Sequence, residues 1–324
     1  MKFYVAPLEG ITGYIWRNAH HHYFPGVDKY YIPFIEPKPN SRKIFNAREL
    51  NDVLPEHNHG YTVVPQILTN KADDFIWTAR HLIEDYGYTE LNINLGCPSK
   101  TVASKNRGSG FLAFPDQVDE FLDRIFNAID VKISVKTRIG RYDADEFNHL
   151  LHIYNQYPLE ELIIHPRTQQ DFYKGTPRME TFDYAVEHAS APLCYNGDIW
   201  TIDDFGKANE HWQKGSCYMF GRGVLLNAGL ISMLQTGTAP KKKTYRAYHD
   251  EIYQGYKDVL FGDKSVLYKM KELWCYMIYL FKDTGNYGKH IKKASNLKEF
   301  DAAVETIFAD CELDFHQRLL FLMK

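Results

Sequence analysis

The segment at residues 91–113, LNINLGCPSKTVASKNRGSGFLA, delivers a cysteine to the start of a polar, glycine-studded loop. A short apolar run ends at Leu95, and Gly96, Cys97 and Pro98 follow it. A strand that feeds a cysteine into such a loop places a reactive group at a pocket rim. A buried cysteine beside a turn is the other reading, and a lone thiol does not decide between them. Asn94 stands three residues earlier, and Lys100, Lys105 and Arg107 follow, so the cysteine has polar and cationic company.

Chemistry at that position requires elements that bring other groups to it. β-rich runs recur at residues 3–6, 31–35, 62–67, 91–94, 132–137, 161–164, 192–195 and 217–220. Helical patterns lie between them, near 13–23, 42–50, 71–86, 115–129, 144–156, 179–189, 201–213 and 223–235. Eight strands each followed by a helix predict an α/β fold of the (β/α)8 TIM-barrel type, typically ~250 residues. An open doubly wound sheet is the alternative. The stretch 108–113 mimics a dinucleotide fingerprint, but it does not follow a strand directly.

In a barrel the C-terminal strand ends meet at one mouth. Read in order, they carry Pro7, Leu8 and Glu9, then Gln66, Asn94 with Cys97, Lys136 with Arg138, and His165 with Arg167. Asn196-Gly197-Asp198 and Gly221-Arg222-Gly223 follow the last two strands. Loops in those two places form the usual phosphate site of a barrel. Two ordinary turns would also use an Asn-Gly pair. In K-I-S-V-K-T-R, alternation puts Lys132, Ser134 and Lys136 on one face, which requires a polar interior. A glutamine such as Gln66 can donate to and accept from the amide-like edge of a flavin ring, and a lysine can stabilise its reduced, anionic form.

The remaining sequence bounds the reading. Net charge is −3. Residues 1–240 hold 23 basic and 29 acidic side chains, and residues 241–324 hold 15 and 12, so a basic tail follows an acidic body. Five cysteines without a C-x-x-C pair argue against a disulfide framework or a zinc knuckle and suit a reducing cytosol. We expect no bound metal, with both histidine clusters (20–22 and 57–59) as solvated surface. MKFYVAPLEG has no long apolar core, and no run of 18 apolar residues occurs, so no signal peptide or membrane span is expected. Residues 237–244, GTAPKKKT, read as a linker, and aromatic and aliphatic residues beyond it recur at helical spacing, as core stripes of a bundle. The domains expected are 1–238 and 245–324.

The motif N-x-G-C-P-S-K-x-V followed by G-S-G resembles the active-site segment of the tRNA-dihydrouridine synthases. APLEGIT, ISVKTRIG, IIHPRTQQDFYKG, PLCYNGDI and CYMFGRG resemble further motifs of that family, in order, across residues 3–226. Pro166 stands where the family has Gly, Leu8 where it has Met, and Ser216-Cys217-Tyr218 where an acidic residue is usual.

The resemblance implies an FMN enzyme that reduces the C5–C6 bond of uridine in tRNA, with NADPH or NADH as reductant. It implies Cys97 as the acid that protonates C5, Asn94 at the uracil edge, and Lys136, His165, Arg222 and Gln66 on FMN. Tyr173 would face tRNA. Arg138, Arg167 and Lys100 with the 100–107 loop would hold phosphates, with Lys269, Lys271 and the cluster 289–293 as tail contacts. A cytoplasmic monomer is expected. Two rivals stay open: a dihydroorotate-dehydrogenase-like flavin barrel acting on a small molecule, and a non-catalytic RNA-binding protein on a barrel scaffold.

Overall fold

The computed structural model describes residues 1–39, 41, 43–212 and 216–318. Nine parallel strands follow one another: β1 (Lys2–Val5), β2 (Lys29–Tyr31), β3 (Val63–Val64), β4 (Gln66–Ile67), β5 (Glu90–Leu95), β6 (Lys132–Arg138), β7 (Glu161–His165), β8 (Leu193–Tyr195) and β9 (Cys217–Phe220). They pair in the order β3-β2-β1-β9-β8-β7-β6-β5-β4. The two ends of that order, β3 and β4, are halves of one run split at Pro65, which has no N–H to give a ladder. The Pro65 carbonyl still accepts from Asn92 N–H at 2.9 Å, and that of Gln66 from Ile35 at 2.8 Å. The ring therefore closes as an eight-stranded barrel, as the sequence predicts.

Alternation sorts the strand residues into two cores. Leu91, Ile93, Leu95, Ile133, Val135, Leu162 and Ile164 face outward into the layer shared with the helices. Tyr4, Tyr31, Val64, Ile163, Cys194, Cys217 and Met219 fill the barrel axis. Toward the C-terminal ends the inward residues turn polar, with Gln66, Asn92, Asn94 and Ser134 all buried.

Several boundaries differ from the sequence reading. The second strand is Lys29–Tyr31, not 31–35; Pro33 interrupts it and Ile35 keeps a single bridge to Ile67. The helix expected at 42–50 is Ala47–Val53, started by an Asn46–Glu49 capping box; residue 42 lies outside the described residues. The 201–213 helix is Ile202–His211, and residue 213 is likewise outside them. The 223–235 helix is two, Arg222–Leu226 and Leu230–Thr236, because Asn227 Oδ1 accepts from Gly229 N–H (3.1 Å) and Tyr245 Oη (2.6 Å) at the break. His20 is not solvated: it is fully buried, bonded to Tyr30 and stacked on Trp16.

The linker at 237–244 is shorter than expected, since the helix Lys242–Val259 starts inside it. Helices Asp263–Met277, Tyr287–Lys293 and Leu297–Asp310 follow; residues 319–324 lie outside the described residues. Their apolar stripes are core, as the spacing predicts. Trp274 is 1% exposed and packs with His249, Phe281 and Phe308. Lys242–Val259 lies on the barrel helix Tyr14–Tyr23, where Phe24 contacts Tyr245 and Tyr248.

Candidate active site

The C-terminal strand ends open into a cavity of about 360 Å³. From the loop after β1 come Pro7, Leu8 and Glu9, and from β4 and β5 come Gln66, Asn94 and Cys97. Lys136, Arg138, His165 and Tyr173 enter from β6 and β7, and Asn196, Gly197, Asp198, Gly221 and Arg222 from the last two loops. Four predicted positions stand apart. Lys100 is exposed at the start of the short helix Lys100–Ala103, Arg167 is fully buried behind the wall, and Lys269 and Lys271 lie on the helix Asp263–Met277. Lys269 Nζ donates to the Gly10 carbonyl (2.7 Å), and Lys271 Nζ to that of Ala294.

The backbone of Cys97 is held from both sides. Its N–H and that of Gly96 donate to Asn94 Oδ1 at 3.0 and 3.1 Å. Its carbonyl accepts from Ser109 N–H (3.1 Å) and Oγ (2.8 Å). Gly108 is in the left-handed region (φ 54°), and a Cβ there would meet the Cys97 carbonyl at 2.8 Å, so the G-S-G turn needs its glycine. Burial raises the thiol pKa, and Glu9 adds to it, against the Ser99 N–H and the charges of Arg138 and Lys136. The thiol is therefore protonated at neutral pH. Asn94 spends its oxygen on this loop and one amide hydrogen on Gln66 Oε1 (2.7 Å), leaving one N–H for a ligand.

The cations form a connected set. Arg138 donates to the carbonyls of Gly96 (3.0 Å) and Thr168 (2.7 Å) and so ties two loops together. Arg167 grips Asp198 with both Nη atoms and donates to the Lys174 and Gly175 carbonyls. With no exposed surface, it supports the wall of the cavity. Arg222 shares Asp198 (3.1 Å), and its guanidinium lies over Trp200 (4.8 Å) and Tyr173 (4.4 Å). Its Nη1 is buried without a partner, and among the described residues Lys136 Nζ, which lines the same cavity, makes no hydrogen bond or ion pair. Burial, reinforced by Arg138, lowers the Lys136 pKa to about 8. Burial and the surrounding cations hold His165 well below its usual range, so the ring is neutral.

Two contributors escaped sequence reasoning. Trp200 follows N-G-D-I directly and its ring could have been suspected as a platform. Tyr276 comes from the helical region, with no local signal linking it to the barrel, yet it lines the same cavity. Among the described residues no His, Cys, Asp or Glu cluster could hold a metal.

A closed parallel barrel of this kind is also the fold of an old yellow enzyme and of morphinone reductase. The old yellow enzyme from Trypanosoma cruzi superposes with TM-score 0.53 at 11% identity, covering 80% of this chain and 94% of that one. Morphinone reductase gives TM-score 0.51 at 12% identity, covering 75% and 88%. The family model "Dihydrouridine synthase (Dus)" matches residues 4–312, and the chain belongs to this family of oxidoreductases. tRNA-dihydrouridine synthase B of Pasteurella multocida is 28% identical over 237 residues, 72% of this chain and 69% of that protein. The same-named protein of Vibrio vulnificus is 28% identical over 200 residues, 61% of this chain and 60% of its own length, and thus under two thirds of it. tRNA-dihydrouridine(16) synthase of Shewanella oneidensis is 26% identical over 251 residues, 74% and 77%.

Proposed function

We propose that the protein reduces the C5–C6 double bond of uridine in tRNA, with FMN in the barrel mouth and NADPH or NADH as reductant. Residues 1–238 hold the flavin and the catalytic groups, and the helices from 245 onward bind tRNA. It acts as a cytoplasmic monomer; no helix among the described residues is long and apolar enough to cross a membrane. One observation carries the reading: a protonated, backbone-pinned Cys97 shares a cavity with the unpaired donor of Arg222 and the amine of Lys136. Cys97 follows β5 and Arg222 follows β9, which stand half a turn apart around the ring.

The residues fit an anionic, planar cofactor. Arg222 Nη1 is a buried donor that a phosphate oxygen would satisfy. Lys136 would hold negative charge at the ring, and Gln66 would hold the ring edge. When bound, FMN supplies hydride to C6 of the uracil. Cys97 donates its Sγ proton to C5, a role that needs the neutral thiol its burial maintains. Asn94 fixes the Cys97 loop and offers its remaining amide hydrogen to the base. Tyr173, 37% exposed and set between Arg138 and Arg222, presents a ring to a base turned out of the RNA.

The test is purified protein with tRNA lacking dihydrouridine. Flavin absorbance, release of FMN on denaturation, and NAD(P)H-dependent appearance of dihydrouridine are expected. A colourless protein that takes up no FMN, or a flavoprotein that leaves such tRNA unmodified, overturns the reading.

A further inference from the structure

Three carboxamides and a hydroxyl form one chain of hydrogen bonds across the polar part of the barrel. Asn94 Nδ2 donates to Gln66 Oε1 (2.7 Å), Gln66 Nε2 to Asn92 Oδ1 (2.7 Å), and Asn92 Nδ2 to Ser134 Oγ (2.9 Å). Ser134 Oγ turns to the Leu91 carbonyl (3.4 Å). The other end starts at the N–H groups of Gly96 and Cys97, both donating to Asn94 Oδ1.

A backbone N–H only donates and a carbonyl only accepts, so both ends impose the same direction. With its oxygen toward the Cys97 loop, Asn94 must turn its nitrogen to Gln66. Gln66 must then turn its oxygen to Asn94 and its nitrogen to Asn92. Reversing any one amide sets donor against donor or acceptor against acceptor. Gln66, Asn92 and Ser134 are fully buried, where such a mismatch finds no water to relieve it.

Gln66 and Asn94 line the cavity, whereas Asn92 and Ser134 do not. We propose that Asn92 and Ser134 are positioning residues that act through Gln66 and Asn94. They fix which atom of the Gln66 carboxamide faces the mouth, and they hold the anchor of the Cys97 loop. Gln66 is left with one amide hydrogen on its Asn92 side and one lone pair on its Asn94 side. That pair selects a ring edge carrying an N–H beside a carbonyl. The flavin readout rests on the function proposed above, while the cysteine readout does not.

The test compares Asn92→Leu, which removes the acceptor of Gln66 Nε2, with Ser134→Ala and Ser134→Thr. Each protein is stripped of flavin and titrated with FMN. Asn92→Leu should weaken FMN binding about tenfold and move the long-wavelength flavin band, and Ser134→Ala should do so about threefold, the scale of one buried hydrogen bond. Ser134→Thr keeps the hydroxyl and should match wild type in both. In the flavin-free proteins, iodoacetamide should alkylate Cys97, followed by peptide mass, severalfold faster in Asn92→Leu and Ser134→Ala. Wild-type affinity, band and alkylation rate in both disruptive variants overturn the proposal, as does equal loss in Ser134→Thr. If Asn92→Leu does not fold, the Ser134 pair decides. If wild type takes up no FMN, the flavin reading fails and the Cys97 rates alone decide this one.

Discussion

Arg167 Nη1 lies 3.0 Å from Nε2 of His165. A guanidinium has no lone pair, so Nε2 accepts and the neutral ring carries its proton on Nδ1. The pKa of His165 is held well below the ordinary value by burial first, then by Arg138, Lys136, Arg167 and Arg222. The unfolded chain binds this proton below about pH 6.5 and the native one does not, so stability falls as pH drops through that value. His165→Gln keeps an acceptor for Arg167 and removes the proton uptake. Urea unfolding between pH 7.5 and 5.5 should show a shallower loss for the variant, by up to about 1.4 kcal/mol per pH unit. A native His165 ring signal titrating between pH 6 and 7 refutes the assignment.

Lys136 titrates at about 8 because it is buried and faces Arg138. In flavin-free protein its acetylation by acetic anhydride should be half-maximal near that pH, with exposed lysines following above pH 10. Arg138→Gln removes a like charge, so the midpoint should rise. No change on that substitution would show that the charge of Arg138 is not felt at Lys136.

Cys97→Ala should bind FMN and accept electrons from NAD(P)H at the wild-type rate. It should lose uridine reduction by roughly 10²-fold or more, the scale of a removed acid–base group. Stopped-flow flavin reduction and dihydrouridine formation separate the two half-reactions, and unimpaired turnover on native tRNA excludes Cys97 as the acid.

Arg222→Ala deletes the unpaired donor and leaves Asp198 to Arg167 alone. FMN affinity should drop by about 1.5–3 kcal/mol, the range for a hydrogen bond to a charged group. Riboflavin, which has no phosphate, should bind variant and wild type alike; an equal loss for both ligands points to a collapsed pocket.

Lys289, Lys292 and Lys293 lie on or beside the last turns of Tyr287–Lys293, all exposed. Reversing their charge should weaken tRNA binding and flatten its salt dependence, by about 0.7–0.9 in log–log slope per lost phosphate contact. Flavin reduction should be untouched. Truncation near residue 238 is a poorer test, because Tyr276 would leave the cavity and Phe24 would lose Tyr245 and Tyr248. Equal salt slopes for the charge-reversed and native proteins would make this helix a structural appendage.

Much of this architecture was readable because barrel strands announce themselves by period and by apolar runs. Knowing that strand ends converge, one can collect Gln66, Cys97, Lys136 and Arg222 from positions scattered over 156 residues of chain. What escaped depended on contacts distant in sequence. Arg167 sits in a motif next to His165 and reads as ligand-facing, yet the returning 174–175 segment and Asp198 enclose it. Lys269 looks like a free basic side chain until Gly10, 259 residues away, accepts from it. His20 is buried among Trp16, Phe24 and Tyr30. The second strand slipped for a local reason: Pro33 ended a run whose side chains all favour strand.

Gly255 brings the helix Lys242–Val259 so near Tyr14–Tyr23 that a Cβ there would meet Ile15 Cγ2 at 2.8 Å. The next helix, Asp263–Met277, continues from this closely packed pair. It carries Tyr276 at the cavity and ends beside Phe261, which is wholly in solvent. At 1.5 Å per residue, Asp263 to Tyr276 is about 20 Å. The helix thus sets a fixed spacing between the cavity, at Tyr276, and the solvent-exposed ring of Phe261.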